Sequence, residues 1–517
     1  MAQSSPQTGI LDLPTELLIT IFESGSFPPS ILYSLAFLCR RLHFIVLPIY
    51  LALHGLTPSS TSVVLPLQAD RRDPLTALQT AFFTTPQTDN ITCIFPPSRS
   101  MTLSTLLPQL KRLENYIYNL ASVKKVTLQM DLPDSVFLST GNDDALRHWS
   151  VGLECLLNCI LERNSRSLTM MYGRQFTRTY AHVPSTTHRS SITRLLADFS
   201  RRLRSHDTET QDFRRVEEQG DSRIELSLPA SLNSSAQLSA LVIQSAILIL
   251  PPALRWTLAV LQHCPITSLT LDLRVQLQDW AVWHTVISLI ISAARGLTTL
   301  VLLEVNHIHD DHIIEFIPQF GLLRHLTIIS QGVWELGFIN PPPQLPELET
   351  LRASPMFINY LLRHPRCFPK IKSICVVWPK LLRATANVDV LMGAVSRIIE
   401  VLDERELSPS LSVSASTMLY PAVLLAQNSL GSFPAFCGRI QALELTAKPL
   451  YFPDIADMAA WTALFPHVRR IDITLARSSI TTSDFGPDVA RLVRTIKATK
   501  LLNKITVNGV IHKLVEA

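Results

Sequence analysis

Imidazoles and carboxylates crowd one short stretch of the chain, at His307, His309, Asp310, Asp311 and His312. Neutral imidazole and carboxylate are ligands that zinc and iron accept, so this spacing could hold a metal. A simpler reading competes with it. Asp310 stands where a helix needs an N-cap, with Ile308 and Ile313 turned inward and the histidines on loop positions. Cys155 and Cys159 lie four residues apart among Leu153, Leu156 and Leu157, and read as small core residues on one helix face. His148 is near Cys155 in sequence, but no arrangement that would activate a thiol is visible. The basic run Arg201-Arg202-Leu203-Arg204, with Arg214 and Arg215, could bind an acidic group. Asp207, Glu209, Glu217 and Glu218 interleave with it, and a solvated loop accounts for the pattern. Gly-rich phosphate loops, H-E-x-x-H and G-x-S-x-G are missing from the chain. The expectation is therefore a protein without catalytic residues, metal or cofactor.

Composition points the same way. Apolar residues make up 47% of 517 and charged ones only 17%, which demands extensive burial, while 16 glycines are too few for phosphate-cradling loops. A net charge of +4 is too mild to argue for nucleic acid. The eight cysteines show neither a disulfide framework nor metal spacing, and Met1 to Pro6 lack the basic start and apolar core of a signal peptide. Those features predict an intracellular, reduced protein, cytoplasmic or nuclear. Two apolar runs, Leu238 to Leu250 and Trp280 to Ala294, are shorter than the ~20 residues of a membrane span, so no membrane partner is expected.

A recurring strand pattern, apolar-x-x-apolar-x-apolar, organises the rest. It appears at Ile266-Leu269-Leu271, Leu297-Leu300-Leu302, Leu323-Leu326-Ile328 and Ile371-Ile374-Val376, with a shorter version at Leu348-Leu351. The middle residues Leu269, Leu300, Leu326, Leu351 and Ile374 are 31, 26, 25 and 23 residues apart, at or near the leucine-rich-repeat period. The pattern resumes at Ile440-Leu443-Leu445, Val468-Ile471-Ile473 and Leu502-Ile505-Val507. The 69 residues between Ile374 and Leu443 leave room for two units of 23, one with a strand near Leu411-Ser412-Val413. Helical patterns lie between strands, at Asp310 to Ile317, Phe357 to Leu362, Val390 to Val401, Ile455 to Leu464 and Val489 to Ile496. Before residue 265 the pattern is poorer, with strands expected at Val123 to Leu128, Ser167 to Met171 and Arg223 to Leu228.

The segment Leu300-Val301-Leu302 with Val305, Ile308, Asp310 and Ile313 resembles the cysteine-containing class of leucine-rich repeat, Val305 replacing the usual Cys. Leu269-Thr270-Leu271 with Leu277, Asp279 and Val282 follows the same offsets. Resemblance to this class implies a β-α solenoid whose units are stable only when stacked.

The first fifty residues carry more apolar side chains than so short a segment can bury by itself. Leu13 to Phe22 predict a helix with Pro14 in its first turn and an apolar face of Leu17, Leu18, Ile21 and Phe22, stopped by Gly25 to Pro29. A second helix carries Ile31, Leu32, Leu35 and Leu38, and a third short segment ends near Pro48. Leu13-Pro14-x-Glu16-Leu17-Leu18-x-x-Ile21-Phe22, then Leu35, Leu38-Cys39-Arg40-Arg41-Leu42 and Pro48-x-Tyr50, resemble the F-box. Leu38 and Leu42 depart from it where the family often has Val and an aromatic. This resemblance implies docking onto the adaptor subunit, and through it the cullin, of an SCF-type ubiquitin ligase, with a protein substrate held by the repeats. Leu13, Pro14, Leu17, Leu18, Ile21, Phe22, Leu32, Leu35 and Leu38 are the implied adaptor contacts.

The expected fold class is thus α/β, a three-helix F-box followed by an irregular leucine-rich-repeat-like β-α solenoid. The expected organisation is F-box 9–54, a linker with short helices 55–100 and repeats 101–517, most regular over 253–380 and 438–510, with a mobile loop at 182–221. A non-catalytic repeat scaffold without ligase association is the alternative.

Overall fold

In the computed structural model, parallel strands follow one another in chain order, and each apolar strand position meets the next in register. The structure describes residues 13–57, 60–68, 73–80, 88–95, 103–130, 143–172, 180–182, 213–215, 236–250, 253–272, 280–305, 310–330, 342–364, 368–378, 385–416, 436–447, 462, 464–475, 504–507 and 510–512. They divide into two units, Met1–Ile266 with Leu277–Ala294, and Thr267–Gln276 with Arg295–Ala517.

The first unit opens with three helices, α1 (Thr15–Ser24), α2 (Pro29–Ala36) and α3 (Arg40–Leu53). Its sheet runs β1 (Ser62–Pro66), β2 (Asn90–Phe95), β3 (Lys125–Met130), β4 (Ser167–Tyr172) and β7 (Ala240–Gln244), in that order. All these neighbours are parallel. The sheet therefore starts at Ser62, inside the stretch read from sequence as a linker. Helices α4 (Pro74–Thr80), α5 (Leu103–Tyr118), α6 (Asp143–Glu162), α7 (Leu254–His263) and α8 (Trp280–Ala293) accompany it. Both apolar runs weighed as membrane spans fall here. Leu238 to Leu250 contains β7 and a 3-10 turn, and Trp280 to Ala294 contains α8; among the described residues no helix is long and apolar enough to cross a membrane. Within 182–221 the described residues are His182 and Phe213–Arg215. They belong to an antiparallel ribbon of β5 (Tyr180–His182) and β6 (Phe213–Arg215). The rest of that stretch, and the strand expected at Arg223 to Leu228, lie outside the described residues.

The second unit holds β8 (Ser268–Asp272), β9 (Thr299–Val305), β10 (His325–Ser330), β11 (Thr350–Ala353), β12 (Ser373–Val377), β13 (Ser410–Ser416), β14 (Ile440–Ala447), β15 (Arg470–Leu475) and β16 (Lys504–Val507), parallel throughout. An antiparallel β17 (Val510–His512) follows, paired with β16 through Val507 and Val510. Helices α9 (Asp310–Phe316), α10 (Pro355–Leu362) and α11 (Thr385–Glu404) lie between strands. The helices expected at Ile455 to Leu464 and Val489 to Ile496 fall almost wholly outside the described residues.

Register explains the strand pattern. Leu269, Leu300, Leu326, Leu351, Ile374 and Leu411 form one row, and Leu271, Leu302, Ile328, Ala353, Val376 and Val413 a parallel one. All twelve are buried. α10 packs on β11 and β12, and α11 packs on α10, so helix side chains close the rows at these strands. The first unit repeats the device with Val63, Ile91, Val126, Leu168 and Leu241. Its strand junctions share a backbone signature. Two successive N–H groups donate to one carbonyl of the preceding turn: Lys124 and Lys125 to Asp89, then Arg166 and Ser167 to Lys124. The second unit does the same, as with Arg324 and His325 to Thr298, and Glu349 and Thr350 to Arg324. Each junction thereby satisfies backbone donors that the chain exposes as it enters a strand.

One expectation fails. Among the described residues, the 69-residue gap between Ile374 and Leu443 holds one strand, β13, which pairs directly with β12 on one side and β14 on the other. A 20-residue helix, α11, lengthens this unit well beyond the 23-residue period.

Candidate functional site

The N-terminal helices concentrate the exposed apolar surface. Among the described residues, large apolar side chains left exposed include Leu17, Ile19, Ile21, Ile31, Phe37, Leu38, Phe44 and Leu53, all within these three helices and the turns joining them. Leu17 and Ile21 are one helical turn apart on α1, and Ile31, Leu35 and Leu38 follow one another at i, i+4, i+7 along α2 and its exit. Covering a side chain that starts half exposed gains roughly 0.8 to 1.5 kcal/mol, half the value for full burial.

The implied adaptor contacts separate into two sets. Leu18, Phe22 and Leu32 are buried between the helices, together with Ala36, Leu42, Val46, Leu47, Tyr50 and Leu51. Leu17, Ile21, Leu38 and Pro14 are exposed, while Leu13 and Leu35 are partly buried. The three helices thus possess a small core of their own, larger than their length led us to expect. α3 gathers it, packing on both α1 and α2. Rings tie the helices further: Tyr33 lies 5.4 Å from Tyr50 and 4.7 Å from Phe37, and Phe22 stacks obliquely on Phe27 at 5.7 Å.

Local chemistry explains the boundaries. Pro14 is the N-cap of α1, one position before the first turn, and its carbonyl accepts from the Leu18 N–H at 3.1 Å. Arg41 donates to the Leu13 carbonyl at 2.6 Å, fixing the entry of α1 against the start of α3. At Gly25 a Cβ would lie 2.7 Å from the Ile21 carbonyl oxygen and closer still to the Phe27 ring, so only glycine fits the turn. Pro48 does not end the third segment: α3 runs through it to Leu53. An interior proline costs about 3 kcal/mol, offset here by burying Leu47, Tyr50 and Leu51 around it. Burial also lowers the pKa of His54, whose ring packs on Tyr50 at 4.9 Å, so it is neutral near pH 7.

The opposite side of this bundle meets the repeats. α3 contacts α4, and the His43 ring places Nδ1 3.1 Å from the Ala36 carbonyl and Nε2 3.2 Å from the Thr80 carbonyl. α4 itself is clamped by Asp73, fully buried, which caps it by accepting from the Thr76 N–H at 2.9 Å and is gripped by Arg112 of α5. The helices are therefore anchored at one side and open at the other.

The stretches with catalytic potential take ordinary places. His307 and His309 lie outside the described residues, and α9 begins at Asp310. Among the described residues no group of three His, Cys, Asp or Glu could hold a metal. Cys159 is buried in α6, its thiol pushed up to about 11 by burial, whereas Cys155 on the same helix is exposed.

No protein family matches the chain, and no curated protein is similar to it. Among solved structures, the leucine-rich repeat-containing protein LegL7 from Legionella pneumophila is similar at 12% identity and a TM-score of 0.29, over 87% of this chain and 92% of LegL7. The chain's own register ladders carry the repeat assignment: it is a leucine-rich-repeat-like β-α array in both units.

Proposed function

We propose that this chain is the substrate-receptor subunit of an SCF-type cullin–RING ubiquitin ligase. Its N-terminal helices dock on the adaptor, and its repeats hold a protein target. The chain performs no bond chemistry of its own. It supplies proximity, converting a bimolecular encounter between the target and the ubiquitin-loaded enzyme into one at high effective concentration. The observation that carries this reading is the division of the F-box-like motif, in which Leu18, Phe22 and Leu32 close a core while Leu17, Ile21 and Leu38 remain uncovered. Apolar anchors of that kind concentrate interface energy.

Leu17→Asp with Ile21→Asp tests it, since both side chains are exposed and their replacement leaves the core intact. Co-purification with recombinant adaptor is expected to be abolished at an unchanged melting midpoint. Failure of the wild-type chain to bind the adaptor, or retention by the double variant, overturns the reading. A repeat-based interaction protein without ligase association is favoured by one feature, the seating of α3 and His43 on α4, which lets the helices serve as a cap for the first repeat.

A further inference from the structure

His43 is held between the ends of two helices. Its Nδ1 lies 3.1 Å from the carbonyl of Ala36, the last residue of α2, and its Nε2 lies 3.2 Å from the carbonyl of Thr80, the last residue of α4. Both neighbours are acceptors with no proton to give. A neutral imidazole carries one N–H and can donate to only one of them, while the imidazolium carries two and satisfies both. Carbonyls in the last turn of a helix lack intrahelical donors and form the negative end of its dipole, so both favour the charged ring.

The surroundings leave that preference intact. α2 and α4 contain no charged residue, and Tyr33 of α2 is their one titratable side chain. On α3 the adjacent cations are turned elsewhere, Arg40 onto the Phe44 ring at 5.8 Å and Arg41 onto the Leu13 carbonyl at 2.6 Å. Asp73, at the foot of α4, is gripped by Arg112. The carboxylates of α1, Glu16 and Glu23, are exposed. The other histidine of the bundle, His54, lies at the far end of α3, where burial lowers its pKa.

The two bonds differ in what can replace them. The Ala36 bond is part-buried and closes within the bundle, whereas the Thr80 bond is exposed and crosses 37 residues to the first repeat. Water takes over an exposed carbonyl at little cost, but not a part-buried one. We propose that His43 is a pH-sensitive latch between the N-terminal bundle and the first repeat. As imidazolium it ties the ends of α2 and α4 together; as imidazole it keeps Ala36 and releases Thr80. The closed latch holds a proton that the open one gives up to solvent. Seating therefore strengthens as pH falls through the imidazole range, about 6 to 7, and weakens as pH rises through it. The latch concerns the joint between α3 and α4 and does not rest on the ligase reading, because no adaptor enters its measurement.

Amide hydrogen exchange on the full chain tests it, with rates over α3 and α4 corrected for the intrinsic pH dependence of exchange. From about pH 6 to about pH 8 the wild type is expected to lose protection there about threefold or more, a size that the linkage of one proton allows. His43→Gln, neutral throughout, is expected to show equal protection at both pH values, and His54→Gln is expected to keep the wild-type response. Should His43→Gln not fold, NMR of nitrogen-labelled imidazoles in the wild type reads the same latch: both His43 nitrogens protonated at the lower pH, and Nδ1 alone at the higher. A wild type whose protection does not change with pH overturns the proposal. So does a response that survives His43→Gln or vanishes in His54→Gln, or a neutral His43 ring that carries its proton on Nε2.

Discussion

Leu17 and Leu326 are the same side chain in opposite circumstances: one is 51% exposed on α1, the other 0% exposed in the ladder of the second unit. In the ladder every strand position has a neighbour on each side, so an apolar residue there is covered whatever else the protein binds. On the N-terminal helices α3 provides most of the cover, and Leu17 and Ile21 on α1 stay exposed beside it. Repetition closes a core by itself, whereas a three-helix element leaves apolar surface for something else to cover.

Truncation separates the two regions most strongly. Leu326→Ala is expected to cost about 2–5 kcal/mol, a cavity in a row closed on both sides, read as a lowered urea midpoint of the full chain. A cost below about 1 kcal/mol would mean that the ladder is no better packed than the helices. Gly25→Ala follows at about 1–3 kcal/mol, because the added Cβ strikes the Phe27 ring and the Ile21 carbonyl. Its effect is expected to stay local, as faster amide exchange over α1 and α2 with the repeats unchanged. Exchange spreading into β8 to β16 would erase the distinction between the regions. The smallest effect belongs to Leu38→Ser, at the most exposed large apolar residue described, 70% exposed. Stability is expected to hold within about 0.5 kcal/mol, and a loss matching that of Leu326→Ala would show that this face is already covered in the free chain.

Much of the second unit was legible from spacing alone. The rows through Leu269, Leu300, Leu326, Leu351 and Ile374 recur because each strand must present the same side chains to its neighbours. Two features were hidden. β1 and β2 of the first unit sit in a stretch without a clear period, and the long α11 absorbs the chain that would otherwise make a further strand. Helix length between strands is free to vary so long as the register returns, and a fixed period cannot anticipate it. In the candidate site, the motif was visible, but the division between Leu17 and Leu18 was not. Adjacent residues on a helix point about 100° apart, and only the position of α3 decides which of them is covered.

The amino-acid order alone determined that apolar residues recur at strand spacing, that the chain lacks the motifs of common enzyme chemistry, and that its first fifty residues carry surplus apolar surface. These are properties of local sequence, where the periodicities of strand and helix are written directly. Tertiary structure decided what lies far apart in the chain, including the exposed half of the N-terminal motif and the Arg352–Glu444 pair, 92 residues apart. Such contacts depend on register accumulated over several strands, each set by the backbone pairing before it, and no local pattern encodes that sum.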